Sequence, residues 1–305
     1  MKIIHIGTMP TLNQMGDITR NIHNLCEGEH VYYSLPDWYN LREKPKGIYI
    51  LHHFKNPKYL KMFDNFRSPK GSSIVSLLHS SPPCRPHPRA ARVVTISEAQ
   101  QKNRNNDFTY STLIRGAIDT EPYLAVTPKY SIPVFGRISR WEPGKFHPYW
   151  NNFINIMLKK YDEAQYVMIT NNPPEKFIIN HERATYIQGI QIDDIESKAK
   201  YINCMNIYAD AHGDFLDTFN VCLLESMACG LAPLILRGNQ EPMAELIGDA
   251  GIIAENETDF LDGLHRLIQS EDLRREYGEK ARARAREYKL TEMIEKWNLL
   301  LKKLA

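Results

Sequence analysis

No run of about 18 apolar residues occurs in the 305-residue sequence, so no stretch reads as a membrane-spanning helix. The opening Met1-Lys2-Ile3-Ile4-His5-Ile6-Gly7 meets its first glycine too soon for a signal peptide and reads as a strand. The five cysteines (Cys26, Cys84, Cys204, Cys222, Cys229) are odd in number, and no two form a C-x-x-C pair. Neither a disulfide framework nor a zinc site is indicated, and a reducing, cytoplasmic setting is expected. Hydrophobic residues make up 43% and charged residues 24%, which argues against disorder and allows two domains with separate cores.

Charge is unevenly spread. Residues 1 to 130 hold 17 Lys and Arg against 10 Asp and Glu, or +7, whereas the remainder holds 21 against 26, or −5. A basic half can face an anionic acceptor, a membrane surface or nucleic acid, or can simply be solvated. The Arg-rich run 274–286 is interleaved with Glu276 and Glu279 and flanked by Glu271 and Glu287, so it reads as a solvated helix face and no nucleic-acid partner is expected.

Short apolar strands alternate with helical stretches. Strands are expected at 2–6, 47–52, 73–78 and 92–96, and again at 132–140, 166–170, 206–209 and 232–236, with helices at 57–66, 98–103, 150–160, 193–203, 259–268 and 291–301. This alternation predicts a parallel α/β architecture, in which the carboxyl ends of the strands face the ligand. Residues 120–131, with Pro122 and Pro128, read as a linker. The densest cluster of signals is Asp217 to Gly230, D-T-F-N-V-C-L-L-E-S-M-A-C-G. Asp217 or Thr218 is placed to cap a helix, Phe219, Leu223 and Met227 recur at helical spacing, and Gly230 supplies the stop. On a continuous helix Asp217 and Glu225 would stand roughly 12 Å apart along the axis, too far to act on one bond.

That stretch, with Leu231-Ala232-Pro233 after it, resembles the E-x7-E signature of retaining glycosyltransferases of family 4. Asp217 stands at the first glutamate, Thr218 and Asn220 at two glycines, and Glu225 at the second glutamate. Gly136-Arg137-Ile138 is similar to the family's G-R-L. The lysine usually five residues later is Glu142 here; Lys145 stands nearest, with Arg140 as the other cation. Ile74 to Pro82 resembles the strand leading to a histidine, His79, and Gly16 stands where the family has a Gly-Gly loop, although an ordinary loop glycine fits it equally. Tyr186-Ile187-Gln188-Gly189 is similar to the strand and glycine near the nucleotide base.

The resemblance implies a GT-B fold: a Rossmann-like acceptor domain (1–125), a Rossmann-like donor domain (126–290) and a C-terminal helix (291–305) packing back on the first, with a cleft between the domains. It implies transfer of a sugar from a nucleotide-diphosphate sugar (UDP or GDP) to a glycan, lipid or small-molecule hydroxyl, with retention. Arg137 and Lys145, with helix amides near Thr218 and Phe219, would hold the diphosphate; Glu225 would bind the ribose; Asp217 and His79 would orient the sugar, with His212 and Asn220 beside them. No metal cofactor is expected, since those positive groups replace it and the chain has no D-x-D motif. Peripheral membrane contact through the basic half is consistent with a lipid acceptor. A non-catalytic nucleotide-sugar-binding subunit and an epimerase of the same fold are the alternatives.

Overall fold

The computed structural model describes residues 1–7, 17–52, 57–78, 86–104, 111–139, 141–142, 144–171, 173, 175–190, 194–215, 217–238 and 240–305. Gly16, His79 and Arg140 lie outside these. The chain forms two compact units, Met1–Ile118 with Tyr288–Ala305, and Asp119–Glu287.

In the first unit, strands β1 (Lys2–Gly7), β2 (Glu29–Ser34), β3 (Ile48–His52), β4 (Ser73–Leu78), β5 (Arg92–Thr95) and β6 (Ser111–Leu113) form one sheet in the order β2-β1-β3-β4-β5-β6. Every pairing is parallel. Helices α1 (Asp17–Leu25), α2 (Leu35–Asn40), α3 (Pro57–Asp64) and α4 (Glu98–Arg104) lie between strands in sequence. β1, β3 and β4 are apolar with hardly a break because both faces of an inner parallel strand are covered. β2 and α2 have no counterpart among the predicted elements: β2 is an edge strand, half-buried along most of its length, so its sequence lacks the clean alternation that marks a one-faced strand.

The second unit is built from α5 (Glu121–Leu124), β7 (Val134–Ile138), α6 (Trp150–Lys160), β8 (Gln165–Ile169), β9 (Ala184–Ile187), α7 (Ile195–Ile202), β10 (Ile207–Asp210), α8 (Val221–Cys229), β11 (Ala232–Leu236), α9 (Glu241–Ile247), β12 (Ile252–Ala254), α10 (Glu257–Gln269) and α11 (Glu271–Ala285). Its parallel sheet runs β12-β11-β10-β7-β8-β9, the doubly wound order whose direction reverses between β7 and β10. A ligand belongs at the carboxyl ends of those two strands. The stretch read as a linker contains α5, which packs on α7 and α8, so the second unit begins at Asp119. The last helix, α12 (Leu290–Leu304), belongs to the first unit: the Glu27 amide donates to Asn298 Oδ1 (2.8 Å), the Ser73 hydroxyl donates to the Leu304 carbonyl (3.1 Å), and Met293, Trp297, Leu300 and Leu301 are buried.

At the reversal of the first sheet, between β1 and β3, histidines gather. His5 Nδ1 lies 3.1 Å from His52 Nε2, and His5 Nε2 lies 2.9 Å from His30 Nδ1. Thr19 Oγ1 is 3.2 Å from His52 Nδ1, and the His23 ring centroid is 5.1 Å from that of His5. A neutral imidazole has one donor and one acceptor, so the chain from His52 through His5 to His30 can be satisfied with uncharged rings. Burial, then His30 and His23, push the His5 pKa well down; burial, then His23, lowers that of His30; and burial, with Arg67 and Arg89, lowers that of His87. All three belong to the first unit. On acidification the unfolded chain takes up these protons first, so this stability is present above about pH 6.5 and is lost below it, by up to about 1.4 kcal/mol per pH unit for each ring. Segment-resolved hydrogen exchange at pH 7.5 and 5.5, corrected for intrinsic rates, is expected to show β1 and β3 losing protection while β10 and β11 hold theirs.

Candidate functional site

β10 ends at the buried Asp210, directly beside β7 at the reversal point. Arg137 on β7 is 1% exposed; its Nη1 stands 3.1 Å from Asp210 Oδ1 and donates to the Lys145 carbonyl at 2.7 Å. The guanidinium lies over the Phe146 ring, 4.5 Å from its centroid. Tyr208 donates to Asp210 Oδ2 at 2.8 Å, and His212 Nε2 lies 3.3 Å from the same oxygen. Burial alone would push the Asp210 pKa up, but Arg137, His212 and Tyr208 outweigh it and hold the carboxylate below its usual range.

Two loops meet above these strand ends. The amides of Gly213 and Phe215 donate to the Gly144 carbonyl (2.9 and 3.1 Å), and the His147 amide donates to that of Ala211 (2.9 Å). Gly144 makes this turn with φ +79°, a conformation that favours glycine. The zipper brings Lys145 Nζ to 3.8 Å from Asp217 Oδ1 and 4.7 Å from the Phe215 ring centroid. Asp217 Oδ2 accepts from Asn220 Nδ2 at 3.0 Å and lies 3.8 Å from His212 Nε2. Gln240, 2% exposed, anchors the loop from behind: the Asp217 amide donates to its Oε1 (3.2 Å), and its Nε2 donates to the Phe215 carbonyl (2.5 Å).

The central helix starts later than its sequence implies. The cap of α8 is Asn220, whose Oδ1 accepts from the Leu223 amide at 2.9 Å, and not Asp217 or Thr218. Thr218 and Phe219 lie in the bend before it, outside the helical face assigned to Phe219. The amides facing outward from the helix mouth are therefore those of Val221 and Cys222, and the 12 Å estimate, which assumed helix throughout, does not apply. Asp217 and Asn220 are joined because the two-residue bend at Thr218 and Phe219 turns one side chain onto the other. Gly230 closes the helix in the left-handed region, φ +89°.

Glu225, one turn inside α8, is 3% exposed. Its Oε1 accepts from the Tyr123 hydroxyl at 2.8 Å and pairs with Lys198 Nζ at 2.5 Å. Cys222 lies within electrostatic range of both acid–lysine pairs; burial, then Glu225, push its thiol up to about 11, which keeps it in the thiol form near neutral pH. Gly189, exposed with φ +77° and open surroundings, turns the chain after β9.

The structure thus brings together Arg137, Lys145, His212, Asp217, Asn220 and Glu225 around the ends of β7 and β10 and the mouth of α8. Arg137 stands behind Lys145, fully buried, rather than at an accessible face. Asp210, Tyr123, Lys198 and Gln240 are additions. Asp210 could have been noticed as a carboxylate closing the apolar strand Ile207-Tyr208-Ala209; Lys198 and Tyr123 give no signal in sequence, since only the packing of α5 and α7 on α8 turns them toward Glu225. Among the described residues no group of three or more His, Cys, Asp or Glu is placed to hold a metal, and no helix is long and apolar enough to cross a membrane.

Two parallel six-stranded α/β sheets of this kind define the GT-B fold of glycosyltransferases. Among solved structures, Anabaena HepE in complex with UDP-glucose superposes with a TM-score of 0.72 at 12% identity, covering 99% of this chain and 100% of that one. A TarM variant from S. aureus in complex with fondaparinux, alpha-GlcNAc-glycerol and UDP gives a TM-score of 0.65 at 18% identity over 83% of this chain, which spans only 55% of the TarM chain. In sequence, the chain is 22% identical over 285 residues to the N-acetylgalactosamine-N,N'-diacetylbacillosaminyl-diphospho-undecaprenol 4-alpha-N-acetylgalactosaminyltransferase of Campylobacter jejuni, covering 85% of this chain and 72% of the relative. No protein-family profile matches the chain.

Proposed function

We propose that the protein is a retaining glycosyltransferase of family 4 type that moves a sugar from a UDP-sugar to a hydroxyl of a glycan, lipid or small molecule. The observation that carries this reading is the pair of acids around the mouth of α8: Asp217, salt-bridged to Lys145, before the helix, and Glu225, tethered by Tyr123 and Lys198, within it. UDP is favoured over GDP because HepE and TarM are both described with it, and a sugar acceptor is consistent with the Campylobacter relative's named activity.

In this reading Glu225 accepts hydrogen bonds from the ribose hydroxyls. Lys145 and the Val221 and Cys222 amides take the diphosphate, where fixed positive charge is worth most as the glycosidic bond breaks. Asp217 accepts from a sugar hydroxyl. The bond from the anomeric carbon to the phosphate oxygen breaks with its electron pair going to UDP, the acceptor oxygen bonds to the same face, and the acceptor proton passes to the departing phosphate. Front-face displacement is preferred because no carboxylate in the cluster is assigned as nucleophile. Lys145 and the helix amides supply the positive charge a metal would otherwise bring, so EDTA is expected to leave the rate unchanged. The basic first 130 residues suit an anionic or membrane-borne acceptor.

Calorimetric titration with UDP-, GDP- and ADP-sugars, with the anomer released by slow donor hydrolysis read by NMR, tests the proposal. Tight binding of a UDP-sugar and first release of the retained anomer are expected. Binding with no turnover across an acceptor panel would replace a transferase by a non-catalytic binding subunit, and no binding at all would remove the donor site.

A further inference from the structure

We propose that Gln240 is a positioning residue for the donor sugar: its side-chain amide clamps the loop that carries Asp217 and sets where that carboxylate stands, while Lys145 is held by other anchors. The donor-site role rests on the transferase reading above; the clamp itself does not.

Gln240 stands at the N-cap of α9, in the turn after β11, and is 2% exposed. Its own backbone is fixed first: the amide donates to the Arg237 carbonyl at 2.6 Å, and the carbonyl accepts from the Met243 and Ala244 amides at 3.0 Å each. From that base the side chain meets the loop twice, accepting from the Asp217 amide at 3.2 Å and donating to the Phe215 carbonyl at 2.5 Å. A backbone N–H needs an acceptor and a backbone carbonyl needs a donor, so a side-chain amide of this length serves both in one orientation. An ionised glutamate has no donor, and methionine has no donor and only a weak acceptor.

The first turn of α9 also supports the Asp217 carboxylate. Met243 Sδ lies 3.6 Å from Asn220 Nδ2, and that nitrogen donates to Asp217 Oδ2 at 3.0 Å while Asn220 Oδ1 caps α8. Gln240 therefore holds the backbone of Asp217, and Asn220, resting on Met243, holds its side chain. Phe215 is gripped from both sides, its amide on the Gly144 carbonyl (3.1 Å) and its carbonyl on Gln240. Lys145 does not depend on the clamp: its carbonyl accepts from Arg137 at 2.7 Å, and its amide donates to the Glu142 carbonyl at 3.1 Å. Removing the Gln240 amide thus frees the sugar end of the site and leaves the diphosphate end in place. A carboxylate that must meet one sugar hydroxyl tolerates little displacement, since misplacement by about 1 Å costs up to about a hundredfold in rate.

The test compares wild type, Gln240→Met, Asp217→Ala and the double variant by calorimetry with UDP and with the UDP-sugar selected by the panel above, alongside exchange of the Asp217 amide followed by NMR of the whole protein. Gln240→Met is expected to weaken the UDP-sugar about tenfold and UDP by less than about twofold, and to add nothing further in the Asp217→Ala background. The Asp217 amide is expected to exchange about tenfold faster in Gln240→Met. Gln240→Asn, which keeps a donor and an acceptor but stands one methylene short, is expected to show the same split and carries the comparison if the methionine variant does not fold. Equal weakening of UDP and UDP-sugar, as a general loss of packing would give, would overturn the proposal, as would an equal effect of Gln240→Met with and without Asp217. A wild-type protein that binds no nucleotide-sugar, with faster exchange at Asp217 in Gln240→Met, would overturn the donor-site role and leave the clamp standing; unchanged exchange would overturn the clamp.

Discussion

Glu225→Ala is expected to lower stability by about 3 kcal/mol and to abolish measurable nucleotide-sugar binding. The carboxylate is 3% exposed and its Oε1 is shared by Lys198 and Tyr123. Truncation takes from the Lys198 ammonium, in a site that is only 12% exposed, the carboxylate it pairs with, and breaking a buried pair by removing one partner costs roughly 3–5 kcal/mol. Thermal unfolding of a unit this size should shift down by roughly 6–12 °C. The decisive comparison is the double variant Glu225→Leu with Lys198→Met, which removes both charges together. Stability is expected to recover most of the loss while nucleotide affinity does not. Recovery of both would make the Glu225 pair a device of packing alone and would remove the ribose contact from the proposed mechanism.

The Arg137–Asp210 pair is buried more deeply, with side chains 1% and 0% exposed. Arg137→Met leaves Asp210 with His212 and Tyr208 and without its strongest partner. A loss of about 4 kcal/mol is expected at pH 7, measured by urea unfolding. Its pH dependence identifies the cause. In wild type the depressed Asp210 pKa contributes stability that is present above the unfolded carboxylate value near 4 and is lost as pH falls through the folded one. In Arg137→Met burial dominates and the carboxyl rises, so the gap between the two proteins is expected to narrow as pH drops toward about 4. A gap constant from pH 7 to 4 would assign the loss to the stacking of Arg137 on Phe146 instead.

A good part of the fold was legible in order of residues. The inner parallel strands are short apolar runs because both faces are covered, and three predicted elements, at 73–78, 150–160 and 232–236, coincide with β4, α6 and β11. The edge strand β2 shows no period in its sequence because half-burial on both faces erases it. α5 hides in a stretch that reads as linker, because two prolines in twelve residues look like a break, although Pro122 sits in the first turn, where its missing N–H costs nothing.

At the site, the sequence by itself determined which acids and bases were available and which of them share an element: Asp217 and Glu225 about α8, Arg137 on β7, His212 after β10. Those are local facts, set by spacing, caps and the alternation of strand and helix. Only the tertiary structure decided what each group faces. Arg137, expected to hold the diphosphate, lies buried against Asp210, because β7 and β10 are adjacent in the sheet though some 70 residues apart in sequence. Glu225 acquires Lys198 and Tyr123 for the same reason. Charge reaches across a few ångströms of space without regard to distance along the chain, so burial and ionisation are properties of the folded neighbourhood and not of the segment.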